Sequence, residues 1–166
     1  MKLFNFFDRQ KISLKNIQAI IFDFDGIFTD NKVTVDEDGK ESVICNRADG
    51  LGIKMLHVKA IPLLVLSTET NPVVAKRAQK LALNVIQGKE DKKDALLFYC
   101  KEKGIAPQNV MYVGNDVNDY DVMSIVGYPV APKDAHPKIR RIAKLILHKK
   151  GGEGVIKELA ENLIKS

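Results

Sequence analysis

The sequence predicts a doubly wound α/β domain, a parallel sheet covered by helices on both faces. Three observations carry that prediction. Short continuous apolar runs recur at AIIFDF (19–24), IPLLVLS (61–67), LNVIQG (83–88), VMYVGN (110–115) and GYPVAP (127–132), each closed by polar, Gly or Pro residues. A strand buried on both faces reads as such a run, whereas a half-exposed strand alternates. Helical patterns separate the runs, and strand–helix alternation is what a parallel sheet requires. Finally, 166 residues without a linker or low-complexity segment fit one compact domain with a sizeable core.

In chain order, residues 1–18 stand apart as an N-terminal extension, and residues 19–166 form the domain. Met1 to Gln10 is mixed apolar and charged, with Asp8 inside it, and lacks the unbroken apolar stretch of a secretory signal. The first strand ends in an acidic cluster. Next, KVTV-DEDG-KESVIC (32–45) places two β-rich runs around an Asp-Gly turn, a hairpin signal. Beside the acidic cluster, such a hairpin is equally a surface excursion or a lid and oligomer contact. Asn71 before Pro72 is an N-cap with proline at the first helical position, opening a helix to about Leu81. Asp91 to Lys103 and Asp116 to Ile125 read as further helices, and Val155 to Ile164 follows a GGEG turn. The architecture expected is Rossmann-like, with a hairpin inserted after the first strand and no separate cap domain.

Composition narrows the function. The 45% apolar and 28% charged fractions are those of a soluble globular protein. No apolar run approaches the roughly 20 residues that span a bilayer, so no membrane partner is expected. Cys45 and Cys100 make neither a disulfide framework nor a metal-ligand spacing, which suits a reducing cytoplasm. The net charge of +5 is dispersed, and the dense basic stretch Lys138 to Lys150 holds an apolar run, Ile142 to Leu147. That is a solvated surface around a strand, not a nucleic-acid patch. A mild positive field also suits a small anionic substrate.

Ligands of open parallel sheets bind at the carboxyl ends of the strands. There the sequence places Asp23, Asp25 and Gly26, then Ser67 and Thr68, then Lys92, then Gly114, Asn115, Asp116 and Asp119. Phosphoryl transfer needs this set. A carboxylate can attack phosphorus and form an aspartyl phosphate. A hard cation held by oxygen ligands screens anionic phosphate from an anionic nucleophile. A lysine neutralises the equatorial oxygens, and hydroxyl and backbone donors hold the phosphoryl in line. A second, distinct carboxylate can protonate the leaving alcohol and activate water. A receiver domain shares these parts, but its lysine ends the last strand, after the Ser/Thr; Lys92 precedes the second acidic cluster.

These residues resemble the haloacid dehalogenase superfamily: DFDGIFTD (23–30), LST (66–68), Lys92 and GNDVND (114–119) look like its four motifs in order. ADGLGI (48–53), DAHP (134–137) and GGEGVIKEL (151–159) extend the likeness to a capless branch. That branch holds octulosonate 8-phosphate phosphatases, nonulosonate 9-phosphate phosphatases and the C-terminal module of CMP-sialate synthetases. The resemblance implies Asp23 as nucleophile, Asp25 as general acid/base, and Ser67, Thr68 and Lys92 on the phosphate. It implies Mg²⁺ on Asp23, Asp25 and Asn115, with Asp116 and Asp119 supporting the site from behind. It further implies a homotetramer whose hairpins associate, and a phosphorylated sugar acid as substrate.

Two departures sharpen the expectation. Glu69 stands where octulosonate enzymes have arginine after a Thr-Gly pair, and with Lys80 it looks like the nonulosonate side of the branch. Glu69 suits sugar hydroxyls or an amide N–H, and Lys80 suits the acid's carboxylate; an exposed helix lysine is the other reading of Lys80. Asn115 stands where active members have a metal-binding aspartate. It also looks like the synthetase-linked modules, which makes an assembly partner of a cytidylyltransferase the alternative to a sugar-acid phosphatase.

Overall fold

A computed structural model describes residue 12 and residues 14–164. The first eleven residues of the expected extension lie outside the described residues. Its last residues pack onto the domain: Leu14–Asn16 is a 3-10 turn, Ile17 is buried, and Gln18 donates its N–H to the Asn109 carbonyl at 2.8 Å.

Strands β1 (Ala19–Phe22), β4 (Leu63–Leu66), β5 (Asn84–Ile86), β6 (Val110–Val113), β7 (Tyr128–Ala131) and β8 (Leu145–Ile146) form one parallel sheet in the order β5-β4-β1-β6-β7-β8. The chain winds outward from β1 through β4 to β5, then returns to the other side of β1 for β6, β7 and β8. This reversal leaves a crevice beyond the carboxyl end of β1, where binding sites of such sheets form. All four residues of β1, β4 and β6 are buried, as continuous apolar strands should be.

Helices divide evenly between the faces. On one, α1 (Arg47–His57), α2 (Pro72–Lys80) and α6 (Val155–Ile164) pack Ile53, Leu56, Val74, Ile156 and Leu159 against Ile20 and Phe22. On the other, α3 (Lys92–Lys103), α4 (Tyr120–Ile125) and α5 (Pro137–Ile142) pack Leu96, Val122, Met123 and Ile139 against Ile21 and Tyr112. Adjacent strand residues point to opposite faces, so Ile20 and Ile21 serve the two cores separately.

Three local features differ from the sequence expectation. Helix α1 was not foreseen, because Gly50 and Gly52 depress its propensity. Asn46 caps it by accepting the Ala48 N–H at 2.9 Å, and Gly52 is required by packing: a Cβ there would lie 2.6 Å from the Lys157 nitrogen on α6. The segment expected as one helix over 116–125 is a 3-10 turn, Val117–Asp119, running into α4, with a capping box between Asp116 and Asp119. In the basic stretch, Ile142 ends α5 and only Leu145–Ile146 is strand.

The hairpin is present. Strands β2 (Thr34–Val35) and β3 (Glu41–Ser42) pair antiparallel in a sheet of their own. Asp36 closes the turn by accepting the Asp38 and Lys40 N–H groups at 3.1 and 2.8 Å. Both strands are exposed on this single chain.

Candidate active site

The site begins where β1 stops. Asp23 extends the ladder by donating its N–H to the Val113 carbonyl at 2.9 Å, which fixes its backbone between β1 and β6. Its carboxylate is buried and accepts the Phe24 N–H at 2.7 Å. Three residues after Asp23 the chain turns through Gly26 at φ +79°, a left-handed conformation that favours glycine. Space demands glycine as well, because a Cβ would stand 2.0 Å from the Asn115 amide nitrogen. The turn carries Asp25 to the cleft, half-buried, where the Thr29 hydroxyl donates to its Oδ1 at 3.3 Å.

Lys92 opens α3, behind the N-cap Asp91, and is 2% exposed. A buried ammonium persists only when paired. Its Nζ lies 2.8 Å from Asp23 Oδ1 and 2.7 Å from Asp119 Oδ1. Asp119 is fully buried and takes four donors. Lys92 Nζ and the Tyr112 hydroxyl (2.9 Å) share Oδ1, while the N–H groups of Asn115 (2.8 Å) and Asp116 (3.3 Å) reach Oδ2. Gly114 leaves room for this carboxylate, since a Cβ would lie 2.7 Å from Asp119 Cγ.

Two carboxylates and one ammonium share this buried pocket, a surplus of one negative charge. Burial, then repulsion from Asp119, pushes Asp23 up to about 8 against the pull of Lys92. Asp25 is also raised above the ordinary carboxylate range, first by burial, with Glu69 and Glu41 adding and Thr29 and Lys92 opposing. An upward shift favours the protonated form, which suits Asp25 to proton donation. A cation beside Asp23 would supply the missing positive charge.

The donor set fits one. Among the described residues no three His, Cys, Asp or Glu side chains form a metal cluster, so a cradle here needs other oxygen donors beside the carboxylates. Asn115 Oδ1 is buried and has no hydrogen-bond partner, yet it lines the same cleft as Asp23 and Asp25. An unpaired buried amide oxygen beside two carboxylates is the ligand chemistry of a hard divalent ion.

Ser67, Thr68 and Asp116 complete the cleft of about 160 Å³, together with Asn31 and Asn118. Ser67 follows β4, is buried, and accepts the Glu69 N–H at 3.1 Å. A second groove of about 330 Å³ continues from Asp25 and Thr68 past Glu69, Asn71 and Glu41 to Lys32 on the hairpin. Glu69 lines it, but its Oε1 accepts the N–H groups of Thr70 and Asn71 at 2.7 and 2.8 Å, closing the turn into α2. Lys80 does not join the site. It is the last residue of α2, exposed, while the cleft adjoins the opposite end of that helix. Sequence reasoning missed Thr29, Tyr112 and Asn118. Thr29 was legible as the hydroxyl four residues past Asp25; nothing local distinguished Tyr112 from a core aromatic.

The three motifs outside the cleft are supports. Asp49 is buried and caps α6 by accepting the Ile156 N–H at 2.9 Å. Asp134 accepts the Gly151 N–H at 3.0 Å, and Gly152 donates to the Ile27 carbonyl at 3.1 Å, bracing the loop that carries Asp25.

A parallel sheet reversing at β1, with paired carboxylates, a buried lysine and a hydroxyl at its carboxyl edge, defines a hydrolase of the phosphoryl-transfer type. Residues 65–159 match the family model described as haloacid dehalogenase-like hydrolase. The 3-deoxy-D-manno-octulosonate 8-phosphate phosphatase of Salmonella typhi is 32% identical over 151 residues, covering 90% of this chain and 80% of that protein. Among solved structures, a HAD-family hydrolase from Streptomyces avermitilis matches with TM-score 0.91 and 45% identity, over 94% of this chain and 90% of that one. The octulosonate 8-phosphate phosphatase of Moraxella catarrhalis, in complex with magnesium, phosphate and its sugar acid, matches at 0.88 and 29%, over 95% and 90%. The chain belongs to the haloacid dehalogenase-like hydrolases, on their capless branch, and is an enzyme.

Proposed function

We propose that the protein is a Mg²⁺-dependent phosphatase of a phosphorylated 2-keto-3-deoxy sugar acid, working through an aspartyl phosphate on Asp23. The observation that carries this reading is the Asp23 carboxylate, buried at the sheet reversal and held 2.8 Å from Lys92 beside the unpartnered Asn115 Oδ1.

Asp23 attacks phosphorus. Lys92, shared between Asp23 and Asp119, neutralises the phosphoryl oxygens, and Ser67 and Thr68 donate to them from the end of β4. Asp25, raised by burial and by its acidic neighbours, is placed to give a proton to the leaving alcohol and then take one from the attacking water. Asp23, the Asp25 backbone carbonyl and Asn115 Oδ1 are the ligands proposed for Mg²⁺, which supplies charge screening between nucleophile and phosphate. Asp116 and Asp119 hold this edge, Asp119 by its four accepted hydrogen bonds.

The groove running from Asp25 to Lys32 suits the leaving sugar acid, with Glu69 facing hydroxyls or an amide N–H. Glu69 supports a nonulosonate 9-phosphate, whereas the relatives above are named for octulosonate 8-phosphate. Comparing kcat/KM for the two substrates decides: a clear advantage for octulosonate 8-phosphate would reject the nine-carbon preference. A homotetramer built on the hairpin is supported by exposed Val33, Val35 and Ile44. The second reading, an assembly partner of a cytidylyltransferase, rests on Asn115 and Glu69, and the complete Asp23–Lys92–Asp119 cluster speaks against it.

The decisive experiment is a screen of phosphorylated sugar acids with and without Mg²⁺, with Asp23→Asn alongside. Turnover in wild type only, and only with Mg²⁺, is expected. Activity surviving Asp23→Asn would reject the nucleophile.

A further inference from the structure

Strand β6 is apolar except at one residue. Val110, Met111 and Val113 are buried, and so is Tyr112, whose ring packs in the core half shared with Leu96, Val122 and Met123. Phenylalanine would fill that volume equally well. The hydroxyl, however, reaches the catalytic edge and donates to Asp119 Oδ1 at 2.9 Å. The same oxygen accepts Lys92 Nζ at 2.7 Å, and Lys92 Nζ spans to Asp23 Oδ1 at 2.8 Å.

We propose that Tyr112 is a positioning residue for phosphoryl transfer, sharing Asp119 Oδ1 from the core side so that Lys92 stays divided between Asp119 and Asp23. The inference rests on Asp23 and Lys92 having the roles proposed above. Tyr112 touches neither nucleophile nor substrate; it acts through Asp119. A carboxylate oxygen has two lone-pair directions, and here Tyr112 fills one and Lys92 the other. Without the hydroxyl, a buried carboxylate loses one of four donors and draws its remaining cation closer. Lys92 then leans away from the phosphoryl oxygens, and that loss is felt most in the transition state, where charge on those oxygens is concentrated.

The test compares Tyr112→Phe with wild type on octulosonate 8-phosphate and on p-nitrophenyl phosphate at saturating Mg²⁺. Tyr128→Phe, on β7 away from the cleft, serves as control. For Tyr112→Phe, kcat is expected to fall about tenfold, the size of a lost hydrogen bond to a charged group, with KM within about twofold. The control should keep wild-type kcat. An unchanged kcat in folded Tyr112→Phe, or an equal fall in the control, would overturn the positioning role. Wild type without Mg²⁺-dependent turnover on these two compounds and on a nonulosonate 9-phosphate would overturn the underlying assignment instead. Should Tyr112→Phe fail to fold, wild type labelled with ¹³C at tyrosine Cζ decides. A Tyr112 resonance that shifts on adding Mg²⁺ with orthovanadate supports the role, and one that stays fixed overturns it.

Discussion

Asn115 is the residue on which metal affinity turns. Its Oδ1 is buried and unpartnered, and its amide nitrogen closes on Gly26, so the side chain is confined where a ligand would be needed. An amide oxygen binds a hard cation but brings no charge. Asn115→Asp is therefore expected to tighten Mg²⁺ about tenfold by titration calorimetry, the order of effect of one added ligand charge; unchanged affinity would remove Asn115 from the ligand set. Asp49 makes a separate prediction. Burial raises its carboxyl to about 6 from an ordinary 3.8, against the bonds it accepts from Ile156 and Lys157. A raised folded pKa means that its stabilisation is complete below about 4 and is lost as pH rises through about 6. Asp49→Asn keeps the acceptor for the Ile156 N–H without the charge. Its melting temperature should gain on wild type between pH 4 and 7, and a constant difference across that range would contradict the assignment.

At the scale of elements, two glycines set how closely segments approach. Gly52 lets α1 lie on α6: a Cβ would meet the Ile156 carbonyl at 2.7 Å, backbone that cannot swing aside. Gly52→Ala should cost about 2 kcal/mol of stability, or roughly 4–8 °C for a chain of this length, as read by thermal melting. Gly151 sits against the loop of Asp25, where a Cβ would lie 2.3 Å from the Gly26 oxygen and 2.9 Å from the Thr29 oxygen. Gly151→Ala is expected to lower kcat by about tenfold or more, because displacing a catalytic group by an ångström is enough for that. Equal kcat at a temperature where both proteins are folded would show that the loop tolerates the shift. The GGEG turn thus bears on the site without touching it.

For the molecule as a whole, the exposed hairpin is the unfinished part. Two strands of two residues are marginal alone in water, and Val33, Val35 and Ile44 are 51%, 57% and 80% exposed on one chain. If copies associate through this surface, Val35→Lys should shift light-scattering mass from the tetramer toward smaller species while leaving the secondary structure intact. A mass indifferent to the change would reject association through the hairpin.

The sequence by itself determined the main strands, the helices that begin after Asn71 and Asp91 and at Val155, and the order of the chemical groups along the sheet edge. Those features are local: an unbroken apolar run, a cap before a proline, a carboxylate directly after a strand. Helix α1 escaped because Gly52 serves contact with α6, a partner more than a hundred residues away in sequence. The role of Glu69 in closing its own turn, the distance of Lys80 from the cleft, and the hydroxyl of Tyr112 under Asp119 were decided only by the tertiary structure. Each depends on which side of a helix or strand meets a segment far along the chain. Type and order can be read from a single strand; a shared proton donor or a blocked Cβ exists only once two strands lie side by side.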